Sequence, residues 1–331
     1  MFTWHDEWLE SSPEVVLEPD LPIVDPHHHY WAHDGMSRYV LEDLQADAGA
    51  GHNVESTVFI ECLWGYRTDG PKAMQPVGET DTMAKVAERS ASTGAEIKGL
   101  VGYADLNLGD AVQDVLEAHI QAGRGRFRGI RHCTAYDPDP AVAPTHTRPR
   151  PLMMNEPDYV AGVRRVGALG LSIDAWLFHP QIVELTQLAR TVPECTFVLD
   201  HLGGVLGLGS YAGRRSEVLE QWRRDIADIA TCPNVVIKLG GIGMTVLGLG
   251  YENGALPPSS DDLVSDWGDP IRFAIGQFGV NRCMFESNFP VDKVSVSYVT
   301  LWNAFKKISA GSSDAEKAAL FHDTATAVYR L

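Results

Sequence analysis

The apolar positions of this chain follow two alternating rhythms. Short runs rich in Val, Ile, Leu and Phe predict strands near Ile23–His27, Thr57–Glu61, Leu100–Tyr103, Phe127–His132, Leu171–Leu177, Thr196–His201, Val235–Leu239 and Cys283–Ser287. Between them, apolar residues at helical spacing predict helices near Asp81–Thr93, Asp110–Ala122, Pro157–Leu169, Gln181–Arg190, Arg215–Ala230 and Asp262–Phe278. A closing helix is expected over Asp314–Leu331. Strand–helix units repeated eight times predict an α/β fold of the (β/α)8 TIM-barrel type. A doubly wound open sheet usually carries a Gly-rich phosphate loop after its first strand, and none follows Ile23–His27. The expected organisation is an N-terminal arm over residues 1–20, set against a barrel end or a subunit contact, and a single barrel domain over residues 21–331.

Three long connections follow predicted strands: the Pro-rich Tyr136–Asn155, and the Gly-rich Gly203–Gly213 and Gly240–Asp262. In a barrel all three gather at the C-terminal face, where active sites form. Tyr136–Asn155 is therefore a candidate lid.

Composition narrows the function. The 331 residues hold 27 Lys plus Arg against 44 Asp plus Glu, a formal net charge of −17. That balance disfavours nucleic acid and anionic membrane as partners but leaves room for a small anionic substrate in a locally basic pocket. The cysteines (Cys62, Cys133, Cys195, Cys232, Cys283) are odd in number and form no CxxC pair. Neither a disulfide scaffold nor a structural zinc knuckle is expected, and a reducing, cytoplasmic setting fits best. No secretory signal and no membrane span are expected. A homo-oligomer through the arm stays open.

The most informative stretch is Ile23-Val24-Asp25-Pro26-His27-His28-His29. Alternation along a strand puts Asp25, His27 and His29 on one face, where two imidazoles can share a metal ion, and turns His28 toward the helices. His179, followed by Pro180 at the end of the fifth strand, is a candidate third ligand from another strand. His201 ends the sixth strand and is a candidate general acid/base; Asp200 alternates away and is expected to hold a neighbouring loop. In the eighth strand Glu286 and Asn288 share a face, with Asn288 at the rim and Glu286 one layer deeper. Glu286 is either a catalytic carboxylate or a structural partner of the first-strand histidines. Arg131 ends the fourth strand, and Arg148 and Arg150 lie in the loop that follows; Arg131 with Arg148 could grip a substrate carboxylate. Arg124 and Arg126 are better read as surface charges. Glu61, Trp64 and Tyr66 are candidate pocket residues, and Lys238 is either an inward pocket charge or a paired core charge.

The ordered segments IVDPHHHYW, FRGIRH, FHPQ, FVLDHLGG, VVIKLGG and MFESNFPV together resemble the amidohydrolase superfamily, and within it the amidohydrolase-2 family of hydrolases, lactonases and decarboxylases. The resemblance runs from Ile23 to the C-terminus and implies a (β/α)8 barrel. It implies His27 and His29 as metal-site residues, His201 as the catalytic histidine, His179 as the metal histidine of the decarboxylase branch and Arg131 as the carboxylate-binding arginine of the lactonase branch. One departure stands out. The family's usual Ser-Asp-Trp-Pro-like end of strand eight is Ser287-Asn288-Phe289-Pro290 here, so the carboxylate is missing. Glu286 is expected to supply it, so that Glu286→Gln abolishes activity while Asn288→Asp is tolerated.

The first expectation is a metal-dependent lactonase opening a carboxylated cyclic ester. His27, His29 and His179 would hold zinc, or else manganese, while the family also includes lactonases that work without metal. Non-oxidative decarboxylation of an aromatic or unsaturated acid is the alternative on the same site, and an amidase a further one. The rival outside enzymology is a non-catalytic barrel that binds an anion.

Overall fold

The computed structural model describes residues 2–33, 35–143 and 145–331. Eight parallel strands form a single sheet in sequence order: β1 Pro22–His28, β2 Asn53–Ile60, β3 Glu96–Gly102, β4 Phe127–Ile130, β5 Ser172–Ala175, β6 Thr196–Leu199, β7 Val235–Lys238 and β8 Cys283–Met284. Beyond β8 the chain continues alongside β1. His28 bridges Phe289 in parallel, His29 N donates to Phe289 O at 2.7 Å and Asn288 N donates to His27 O at 3.0 Å. These bonds bring the sheet to a near-closed barrel, and the fold is the TIM-barrel class that the strand–helix rhythm predicts.

The core has two parts. Val58, Ile60, Val101, Val198, Val236 and Met284 fill the barrel interior together with Tyr329 from the C-terminal segment. A larger apolar layer lies between strands and helices. The expected single helix over Asp314–Leu331 is instead two short helices, Asp314–Ala318 and Thr324–Tyr329, joined by a π-helical turn over Ala319–Asp323. The wider turn lets the final helix tuck under the barrel, where the Tyr329 hydroxyl donates to Asp174 Oδ2 at 2.6 Å. Two helices that the sequence pattern did not single out, Leu41–Ala48 and Tyr298–Ile308, complete the outer layer. Tyr298–Ile308 is buried on nearly every face, so it lacks the polar stripe that marks a surface helix.

The N-terminal residues lie against the barrel. Trp4 packs edge-on to Tyr39, Glu14 accepts from Ser260 and Asn303, and Leu17 N donates to Asn303 Oδ1. All five cysteines are free. No helix among the described residues is long and apolar enough to cross a membrane.

Candidate active site

The C-terminal ends of the strands surround a cavity of about 520 Å³. Arg131, Trp176, His201 and Asn288 reach it from four different strand ends, and the long loop after β4 contributes Ala141, Thr145 and His146. Its wall is mostly apolar.

At the cavity floor three side chains converge. His27, His201 and Glu286 each offer a ligand atom within 4.8 Å of the other two, and all three are buried. Glu286 Oε1 accepts from the backbone N–H of His201 at 3.1 Å and from His201 Nδ1 at 2.7 Å. Its Oε2 lies 2.9 Å from His27 Nδ1 and makes no hydrogen bond. The backbone around this triad is built for close approach. Gly240 abuts Glu286: a Cβ there would sit 2.3 Å from the Glu286 carbonyl oxygen and 2.4 Å from its Cγ. The Lys-Leu-Gly-Gly segment thus makes room for the carboxylate.

Burial sets the protonation states. Desolvation pushes the His201 pKa down to about 3 and holds His27 well below its usual value, so both imidazoles are neutral near pH 7. Desolvation raises Glu286 well above an ordinary carboxyl, against the opposing pull of Lys238.

Beneath the triad lies a second buried layer. Lys238 is fully buried, with Nζ 2.7 Å from Asp174 Oδ2, 3.1 Å from Asp200 Oδ1 and 3.0 Å from His27 Nδ1. Desolvation opposes its charge, but the two aspartates and Glu286 outweigh it and raise its pKa. Of the two readings that the sequence left open for Lys238, the geometry is that of a paired core charge.

Several expected placements are corrected here. Asp200 does not face a loop: it is fully buried beside Lys238. Alternation along β6 carries Asp200 inward with Val198, and it is His201, at φ of 55°, that leaves the strand and turns into the cavity. Asp25 does not join the histidines. A register shift between Asp25 and His28 interrupts β1, and Asp25 instead accepts from Ser287 N at 2.9 Å and Tyr298 Oη at 2.9 Å, tying the barrel shut. His29 lines the cavity but is not in the three-residue cluster; its Nδ1 donates to Ile60 O at 2.9 Å, which leaves Nε2 as an acceptor. His179 is also outside the cluster. Its Nδ1 accepts from Leu206 N at 3.2 Å and its ring packs on Tyr211, so it holds the loop after β6. The structure therefore gathers His27, His201 and Glu286 rather than His27, His29 and His179.

Arg131 is not a free carboxylate clamp. Its Nε donates to Glu61 Oε1 at 2.8 Å, its Nη2 to the Glu61 carbonyl, and its Nη1 lies 3.4 Å from His27 Nε2. Glu61 is buried behind it, and His146 Nε2 approaches the other carboxylate oxygen at 3.5 Å. Trp64 packs on Tyr30 and His33, the Tyr66 hydroxyl is buried without a hydrogen-bond partner, and Arg148 is exposed. Among the described residues none of these three, nor Glu61, lines the cavity. Arg124 is a surface charge as expected, paired with Glu88 and Asp81. Asn288, at φ 56°, lines the cavity but turns its Nδ2 to Asp292 Oδ1 at 2.8 Å. Asp292 also accepts from Gly243 N at 2.8 Å, and burial pushes its pKa up to about 8.

Sequence reasoning did not single out Asp174, Glu79, His146 or Asp292. Asp174 had a signal: it is a lone carboxylate within the apolar run Leu171–Leu177. Glu79 caps the loop after β2, its Oε1 accepting from Cys62 N at 3.0 Å and Trp64 N at 2.7 Å.

Two imidazoles and a carboxylate match the donor chemistry of zinc, and the partnerless Glu286 Oε2 lies where a cation would be satisfied. The triad therefore fits a divalent ion.

Comparison with known proteins agrees with the fold. The Amidohydrolase family model (Amidohydro_2) matches residues 24–331. An uncharacterised protein, y4mH, of Sinorhizobium fredii is 32% identical over 94% of this chain and 99% of its own length. The L-fucono-1,5-lactonase of Burkholderia multivorans is 25% identical over 93% of this chain and 96% of its own length. A crystal structure of an amidohydrolase from Burkholderia multivorans with bound zinc superposes with a TM-score of 0.71 at 22% identity, over 93% of this chain and 99% of that one.

Proposed function

We propose, for a chain that belongs to the Amidohydro_2 family of amidohydrolases, that the barrel is a hydrolase of cyclic esters, a lactonase. The observation that carries this reading is the His201–Glu286 pair at the floor of the cavity. Likeness to a lactonase over nearly the whole chain supports it.

His201 Nδ1 donates to Glu286 Oε1, which fixes the tautomer and leaves Nε2 as an acceptor. Burial keeps the ring neutral before the reaction. A water oxygen attacks the lactone carbonyl carbon as His201 Nε2 takes the water proton; Glu286 stabilises the imidazolium that forms. The Arg131 guanidinium, held by Glu61, places positive charge beside the site where negative charge develops on the carbonyl oxygen. Collapse breaks the ring C–O bond, His201 returns its proton to the departing alkoxide, and the product is a hydroxy acid. His27, His201 and Glu286 could instead hold a divalent ion such as zinc, which would supply Lewis-acid polarisation in place of His201 acting as the base.

The decarboxylase alternative drew on His179 as a metal ligand. His179 lies outside the cluster of His27, His201 and Glu286 and accepts from Leu206 N instead, so the cluster does not favour that reading. The test is a lactone panel followed with a pH indicator, beside carbon dioxide detection and a His201→Ala variant. Proton release without carbon dioxide, lost in the variant, is expected. Carbon dioxide release, or turnover that survives His201→Ala, would overturn the proposal.

A further inference from the structure

The cavity wall bears on what kind of lactone could enter. We propose, resting on the lactonase reading, that the substrate is an uncharged lactone carrying a hydrophobic substituent, aryl or alkyl, rather than a carboxylated or polyhydroxylated one.

Arg131 is the one Lys or Arg side chain lining the cavity among the described residues. All three of its guanidinium nitrogens already have neighbours: Nε faces Glu61 Oε1, Nη2 faces the Glu61 carbonyl and Nη1 faces His27 Nε2. A carboxylate gripped bidentately needs two parallel N–H groups on one edge, and Glu61 already takes the Nε/Nη2 edge. Lys238 is fully buried below the floor and divided between Asp174 and Asp200. A substrate carboxylate would also approach the buried carboxylate of Glu61. Like charges held close in a desolvated site repel, so the wall selects against an anion.

Trp31, Trp176, Phe178, Met244, Val246 and Val294 supply much of the wall. Trp176 stands edge-on to His201 with ring centroids 4.9 Å apart, so an aromatic face borders the reacting position. The Asn288 amide N–H donates to Asp292. Ring hydroxyls beyond those that His29 Nε2 and the partnerless Asn288 Oδ1 can accept would lose water without partners, at about 1–3 kcal/mol each. A cavity of about 520 Å³ lies in the range that holds drug-sized ligands, so a bare lactone ring would leave space that an apolar substituent fills.

The experiment compares kcat/KM for three δ-lactones: 6-phenyl-δ-valerolactone, its 6-carboxy counterpart and a polyhydroxylated 1,5-lactone. The phenyl compound is expected to exceed both others by tenfold or more. Val246→Arg places an unpaired cation on the half-buried wall and is expected to shrink the phenyl-over-carboxy ratio at least tenfold. Equal rates, or a preference for the carboxylated or polyhydroxylated ring, would overturn the inference and leave the lactonase reading standing. If none of the three turns over, the lactonase reading loses support. Calorimetry with the corresponding unreactive lactams then decides the substrate class by itself: tighter binding of the phenyl lactam supports it, and tighter binding of either other lactam overturns it.

Discussion

Lys238→Met tests the buried layer under the site. The replacement keeps length and apolar bulk but removes the charge. In the parent, Nζ lies 2.7 Å from Asp174 Oδ2 and 3.1 Å from Asp200 Oδ1, with all three side chains fully buried. With an effective dielectric near 20, these pairs attract by about 6 and about 5 kcal/mol. Desolvation of the three ions offsets much of that, so the whole network is worth far less than the sum. Loss of one member is different, because it leaves buried carboxylates with no counterion; such losses cost about 3–5 kcal/mol. That is a large part of a typical folding stability of about 5–15 kcal/mol. The two aspartates will not suffer equally. Asp174 keeps the Tyr329 hydroxyl as donor, whereas neither carboxylate oxygen of Asp200 has a hydrogen-bond partner. Adding Asp200→Asn should therefore recover at least about half of the loss, as coupled neighbours do. Guanidinium unfolding at pH 7, read by tryptophan fluorescence, measures both quantities. A Lys238→Met variant within about 1 kcal/mol of the parent, or a double variant no more stable than the single, would refute the reasoning.

Three further outcomes are expected. Glu286→Gln should fold normally yet lose lactone turnover by about 10²–10⁴-fold, because the neutral amide cannot stabilise an imidazolium at His201; turnover equal to the parent would remove Glu286 from the mechanism. Asn288→Asp, harmless on the sequence reading, should instead destabilise by about 2 kcal/mol. It sets a second carboxylate against Asp292 at the present 2.8 Å contact, a repulsion felt once Asp292 loses its proton above about pH 8, and unfolding midpoints unchanged from the parent at about pH 9.5 would contradict this. Glu79 is buried, and desolvation together with Glu61 pushes its pKa up to about 8. The folded protein therefore holds a proton that the unfolded chain releases near pH 4.5, and this residue's contribution to stability falls as pH rises from there toward 8. Glu79→Gln should gain on the parent by roughly 1–3 kcal/mol between pH 5.5 and 8.5, and urea midpoints that stay parallel over that range would count against it.

What the sequence determined by itself was the framework and the stock of reactive groups. Apolar period placed all eight strands, because each is buried on both faces and bounded by polar or Gly-rich loops. The same pattern put His27, His201 and Glu286 at the ends of their strands, and the family resemblance, by which a carboxylate is expected at Asn288, pointed to Glu286. Tertiary structure decided which of these groups meet. Alternation assumes an unbroken strand, and it failed where the chain leaves that conformation: at the register shift after Asp25 and at the positive φ of His201. Partner choice is equally invisible in one dimension. Arg131 and Glu61 are 70 residues apart, and Lys238 and Asp174 are 64 apart. Nothing local distinguishes an arginine that waits for a substrate from one already held by a buried glutamate. That difference is electrostatic and long-range in sequence, and only the closed barrel, which brings the ends of β1, β2, β4 and β8 around one cavity, sets it.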